Sequence, residues 1–208
     1  MSLVKTNWLE ENINNVKIID CSWHMPQTKR NGFEEYTKEH IPNAIFFDLD
    51  KNSKINTDLP HMLTDINSWK KIMEDMGIEN KDEIVIYDNS DVISSCRCWY
   101  NLIYFGHDPK LVHILDGGFK KWKKENKITD NQKVITKTST YSCNENIELV
   151  KDKILEKFKS LNFDHSKNLV FSCGSGVTAS VLALAYSLIN DKYMPTIYDG
   201  SWSEYGKI

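Results

Sequence analysis

The residues best suited to chemistry stand together at Cys173-Gly174-Ser175-Gly176-Val177-Thr178-Ala179. The apolar run before them, Asn168–Ser172, reads as a strand, and Gly176–Ile189 reads as a helix. A strand therefore delivers a cysteine to a tight loop that opens a helix. Gly174 and Gly176 can adopt backbone angles closed to other residues, which lets successive N–H groups turn inward. The positive end of the helix faces the same cradle. Such a cradle lowers the pKa of the Cys173 thiol and raises its thiolate fraction. It would also hold a persulfide, Cys–S–S⁻, whose outer sulfur is an anion. The plainer reading is an inert cysteine before a glycine turn. The coincidence of strand end, two glycines and helix start favours the nucleophile.

Three chemistries suit a loop of this shape. Phosphate-ester cleavage needs an arginine closing the loop to hold the phosphate bidentately. Ala179 occupies that place, and no arginine follows Arg97, so this chemistry is excluded. Sulfur transfer from an anionic donor such as thiosulfate favours cationic loop residues, but Gly174 and Ser175 are neutral. Sulfur transfer from a thiol donor needs a hydroxyl that can relay a proton, and Ser175 is placed for that.

The other cysteines, Cys21, Cys96, Cys98 and Cys143, read as structural thiols. Neither Cys21 with His24 nor Cys96 with Cys98 has the second ligand pair of a zinc site. No metal or nucleotide motif is present, and no cofactor is expected. An odd, sparse cysteine count with no apolar leader at Met1–Asn15 fits a reducing cytoplasm.

The elements that must position the loop follow an α/β pattern, with short apolar runs alternating with helical ones. Strands are expected at Val16–Cys21, Ala44–Leu49, Ile84–Tyr87 and Val112–Leu115, and helices at Ile66–Met76 and Cys96–Phe105. A short helix carrying Trp122 follows Asp116-Gly117-Gly118. The C-terminal part repeats the later half of this pattern at nearly the same spacing. There Asn168–Ser172, Gly176–Ile189 and Thr196–Tyr198 precede Asp199-Gly200-Ser201-Trp202. The earlier half has no second copy. Between them lie a polar stretch, Thr129–Tyr141, and a lysine-rich helical stretch, Ile147–Leu161. A second sheet of two or three strands cannot bury much alone, so it must lean on the first unit or on another chain.

Composition excludes other classes. The 208 residues carry 26 Lys+Arg and 29 Asp+Glu, a net charge of −3, with no basic block for nucleic acid. An apolar content of 40% argues against disorder. The most apolar stretch, Ala179–Ile189, is too short to span a bilayer, which takes about 20 residues. Only two of the basic residues, Arg30 and Arg97, are arginine.

The motifs Asp20-Cys21-Ser22-Trp23, His40-Ile41-Pro42-Asn43-Ala44, Pro60-His61-Met62-Leu63, Leu115-Asp116-Gly117-Gly118, Cys173–Ala179 and Tyr198-Asp199-Gly200-Ser201-Trp202 together resemble the two-domain sulfurtransferases of the rhodanese superfamily. The neutral Gly-Ser after the cysteine resembles the 3-mercaptopyruvate branch rather than the thiosulfate branch. The resemblance implies a rhodanese-like parallel-sheet domain flanked by helices at 1–128, a non-catalytic copy. A truncated second rhodanese-like domain at 129–208 would carry the Cys173 loop. It implies that Cys173 takes sulfur from 3-mercaptopyruvate as a persulfide, with Gly174, Ser175, Gly176, Val177 and Thr178 binding substrate and persulfide. A relay of Ser175, His61 and Asp50 would handle the proton. On the residues alone, His61 reads as a loop histidine and Asp50 as a strand-end turn residue. The partners implied are a small-molecule sulfur donor and an acceptor such as thioredoxin, glutathione or cyanide.

The chain departs from that pattern in lacking the second His-Ile-Pro segment and the arginines that clamp the substrate carboxylate. A lysine can supply a point charge but not a bidentate fork. The alternatives are a degenerate, non-catalytic rhodanese-like protein, or a thiosulfate sulfurtransferase. A homodimer in which two chains complete each other's sheet edges is a further expectation.

Overall fold

The computed structural model describes residues 2–149, 169–189 and 195–206. Five strands form one sheet: β1 (Leu3–Val4), β2 (Lys17–Asp20), β3 (Ala44–Phe46), β4 (Ile84–Tyr87) and β5 (Val112–Leu115), in the order β1-β5-β4-β2-β3. Every pairing is parallel, with Ile18 opposite both Ala44 and Val85, and Ile86 opposite Ile114. β4 and β5 are buried at every position, as a parallel sheet covered on both faces requires. β1, at the sheet edge, and helix α1 (Thr6–Asn12) lie where the sequence signalled no element.

Four further helices belong to this unit: α2 (Gly32–Lys38), α3 (Ile66–Asp75), α4 (Ser95–Tyr104) and α5 (Gly118–Lys124). Asp65 caps α3 by accepting from the N–H groups of Asn67 and Ser68, both at 3.0 Å. Asn31 caps α2 through Glu34 N at 3.1 Å. Every residue of α4 is buried. A helix buried on every face is covered on two sides. Here one side faces the sheet and the other faces the C-terminal half.

That half contains a parallel pair, β6 (Val170–Phe171) with β7 (Thr196–Ile197), and helices α6 (Val177–Ile189) and α7 (Ser201–Tyr205). It leans on the first unit, as its small sheet requires. Val177, Ala179, Ala183 and Leu184 of α6 share one core with Cys96, Trp99, Tyr100 and Ile103 of α4. The Tyr100 hydroxyl lies between the carbonyls of Leu149 and Pro195, which compete for its one proton, and accepts from Ile197 N.

The polar segment after Ile128 also lies on the first unit. Asp130 bridges to His40, Ser139 N donates to Glu74 O, and Asn144 N donates to Phe105 O. Tyr141 is buried against His107, its hydroxyl 3.0 Å from Nδ1. Ile147–Leu149 forms a single tight turn. The rest of the expected lysine-rich helix, and Asn168, lie outside the described residues.

Candidate active site

The site forms where the carboxyl ends of β2 and β3 meet the Cys173 loop. β6 ends at Phe171, and Cys173 follows before α6 begins at Val177. The α7 turn fixes the loop backbone. Cys173 N donates to Ser201 Oγ at 3.2 Å, Trp202 N donates to Cys173 O at 2.8 Å, and Ser203 N and Oγ both donate to Gly174 O. Gly176 has φ +79°, in the region only glycine enters freely. Gly174 differs from expectation. It does not take a left-handed conformation, and a Cβ there would meet nothing within 4 Å. It leaves open space beside the sulfur instead of enabling a turn.

Burial alone would raise the Cys173 thiol. The backbone N–H groups of Ala179, Ser175, Gly176 and Thr178 outweigh it and hold the thiol below its usual 9.0. Thr178 is exposed, and Val177 places its side chain in the core. Elsewhere burial prevails: it pushes Cys96 to about 12, Cys143 to about 11 and Cys21 well above 9.0. Iodoacetamide at pH 8 is therefore expected to label Cys173 first, as read by peptide mass. The labelling rate should rise with pH and reach its half-maximum below pH 9.0, because the rate follows the thiolate fraction. Earlier labelling of Cys21 or Cys96 would contradict this.

Ser175, His61 and Asp50 stand in one hydrogen-bonded line. His61 Nδ1 is 3.1 Å from Ser175 Oγ, and His61 Nε2 is 3.0 Å from Asp50 Oδ1. A carboxylate can only accept, so Nε2 carries the proton and Nδ1 is free to accept from the Ser175 hydroxyl. Asp50 is held below the usual carboxylate range, first by the His61 hydrogen bond, against some desolvation. Trp23 was legible only as part of a motif. Its indole N–H donates to both Asp50 oxygens, at 3.0 and 3.1 Å, and its ring packs edge-on to His61 at 4.7 Å. Ser201 and Ser203 gave no sequence signal beyond the repeated Asp-Gly turn.

The corresponding loop of the first unit, Asn89–Ser95, has no cysteine. Two of its N–H groups are taken by the carboxylate just before it: Asp88 accepts from Ser90 N at 2.8 Å and Ser95 N at 2.9 Å. Neither arginine is free to fork onto a substrate carboxylate. Arg30 is bidentate on Glu35 at 2.7 and 2.8 Å, and Arg97 is buried on Asp199. Among the described residues, no three His, Cys, Asp or Glu side chains form a group that could hold a metal ion. No described helix is long and apolar enough to cross a membrane.

Two parallel α/β units, the second presenting a cysteine in a cradle of backbone N–H groups, define a class. Residues 5–125 match the Rhodanese-like domain, and the chain belongs to that family. Its particular relatives are named sulfurtransferases. The chain is 27% identical to 3-mercaptopyruvate sulfurtransferase of Mus musculus, over 98% of this chain and 91% of that protein. That alignment spans 274 positions, more than the 208 residues of this chain, so the relative carries segments that this chain lacks. Thiosulfate/3-mercaptopyruvate sulfurtransferase 1 of Arabidopsis thaliana is 42% identical over 58% of this chain and 32% of its own length. The crystal structure of a 3-mercaptopyruvate sulfotransferase from Escherichia coli superposes with a TM-score of 0.84 at 25% identity, covering 97% of this chain and 99% of that one.

Proposed function

We propose that the protein is a sulfurtransferase that moves a sulfane sulfur from 3-mercaptopyruvate to a thiol or cyanide acceptor through a persulfide on Cys173. The Cys173 cradle faced by the Ser175–His61–Asp50 line carries this reading. The Cys173 thiolate attacks the donor sulfur. An S–S bond forms as the C–S bond breaks, and the electron pair of the broken bond goes to the methylene carbon as the enolate of pyruvate. The carbon is reduced and the sulfur oxidised to the sulfane level, so no external oxidant is needed. The proton lost by the transferred thiol is the one the enolate gains, and Ser175 and His61 carry it between them. The cradle then stabilises Cys–S–S⁻ until a second thiol, such as that of thioredoxin or glutathione, takes the outer sulfur.

The division into a non-catalytic unit at 1–128 and an abbreviated catalytic one at 129–208 belongs to this reading. It is supported by a sheet complete before 128 and a cysteine loop after it. Five unpaired cysteines support a reducing compartment such as the cytoplasm.

The test is intact mass after incubation with 3-mercaptopyruvate, in parallel with thiosulfate, with the added mass mapped by peptide. One extra sulfur on Cys173 from mercaptopyruvate is expected. Loading only from thiosulfate would move the protein to that donor class. No loading of the folded protein by either would overturn the reading in favour of a non-catalytic member.

A further inference from the structure

The buried pair of Arg97 and Asp199 lies beneath the relay and takes no part in the chemistry described. Arg97, on α4, is 0% exposed, and Asp199, in the turn between β7 and α7, is 1% exposed. Arg97 Nη2 donates to Asp199 Oδ1 and also to the backbone carbonyl of His61, at 2.7 Å. The other oxygen of Asp199, Oδ2, accepts from Leu63 N at 2.8 Å. One ion pair thus grips the chain on both sides of Met62. His61 needs such a grip, because its φ of +58° is a conformation that residues with side chains seldom hold. A change in that angle swings the Cβ and carries the imidazole away from Ser175. The pair also meets the cysteine loop, since a Cβ on Gly176 would lie 3.0 Å from Arg97 Nη1.

We propose that Arg97 and Asp199 are positioning residues, acting through the His61 backbone to set the contact between Nδ1 and Ser175 Oγ. This rests on the sulfur-transfer reading of the site. It also explains why an arginine has no route to the substrate here: its charge is spent on a carboxylate of the same chain that must not stay buried alone.

The test is a double-mutant cycle with two forms of the clasp broken. Arg97→Lys keeps a charge for Asp199 but loses the planar fork. Should it fail to fold, the double variant Arg97→Met/Asp199→Leu removes both buried charges together. Turnover at saturating 3-mercaptopyruvate is expected to fall about 10–100-fold, as for a misplaced catalytic group. KM and the rate of Cys173 alkylation should stay close to the parent values. In a His61→Ala background the same change should cost almost nothing further, because its effect runs through His61. An equal loss in that background, or unchanged turnover, would overturn the proposal. If the parent protein turns over no donor, the sulfur-transfer reading fails. The ¹⁵N signals of the His61 ring then decide on the clasp. A single Nε2–H tautomer that becomes averaged in the variants supports it, and unchanged signals overturn it.

Discussion

Cys173→Ser should fold as the parent does and take up no sulfur from 3-mercaptopyruvate. The loop is held by its backbone, through Ser201, Trp202 and Ser203, and none of those bonds uses the thiol. The substitution removes one half-buried sulfur, so the stability change should stay within about 1 kcal/mol. Chemically the loss should be complete. A serine hydroxyl is not ionised near neutral pH, and an oxygen cannot form the S–S bond that stores the transferred atom. The remaining cysteines offer no substitute, since burial raises the thiols of Cys21, Cys96 and Cys143 and Cys98 is fully enclosed in the core. Intact mass and a thermal melt check both halves. Sulfur persisting on the variant would assign the persulfide to another cysteine.

His61→Ala should lower turnover by about 10²–10³-fold, within the range of a lost general acid–base group. The thermal midpoint should move much less. Asp50, with 65% of its side chain exposed, stays solvated after the ring is gone and keeps the Trp23 N–H. The pH profile gives a second readout. Asp50 is held low first by its hydrogen bond from His61, so above pH 5 it is ionised with or without the ring. The Cys173 thiol lies below 9.0 through N–H groups that the substitution does not touch. Residual loading by the variant should therefore still climb with pH, with its midpoint below 9.0 and a lower ceiling. Activity equal to the parent would remove His61 from the mechanism.

Much of the fold is local and therefore legible. β4 and β5 span the residues expected of them, because a strand buried on both faces is a continuous apolar run. The Cys173 loop is legible for the same reason: strand, glycines and helix start are neighbours along the chain. The sequence predicts α4 as a helix but not its burial on every side, because Ser95, Arg97 and Asn101 stand among its buried residues. β1, α1 and α2 carry no expectation from the sequence. Two residues of strand carry no period, and α1 has neither a side-chain cap nor acidic residues in its first turn.

The order Asp50, His61, Ser175 came from resemblance, since nothing local distinguishes a histidine after a proline from any loop histidine. His61 and Ser175 are 114 residues apart, and only the packing of α6 on α4 brings their side chains to 3.1 Å. Trp23 behind Asp50, Ser201 beneath Cys173 and Arg97 locked on Asp199 depend on the same packing. Residue types and short-range spacing determined which thiol lies in a cradle of N–H groups, because such a cradle is built from consecutive residues. Tertiary structure alone decided which side chains attend that thiol and that both arginines are held on carboxylates of the same chain. Those contacts join distant parts of the chain, and they form only when the two units bury one common core.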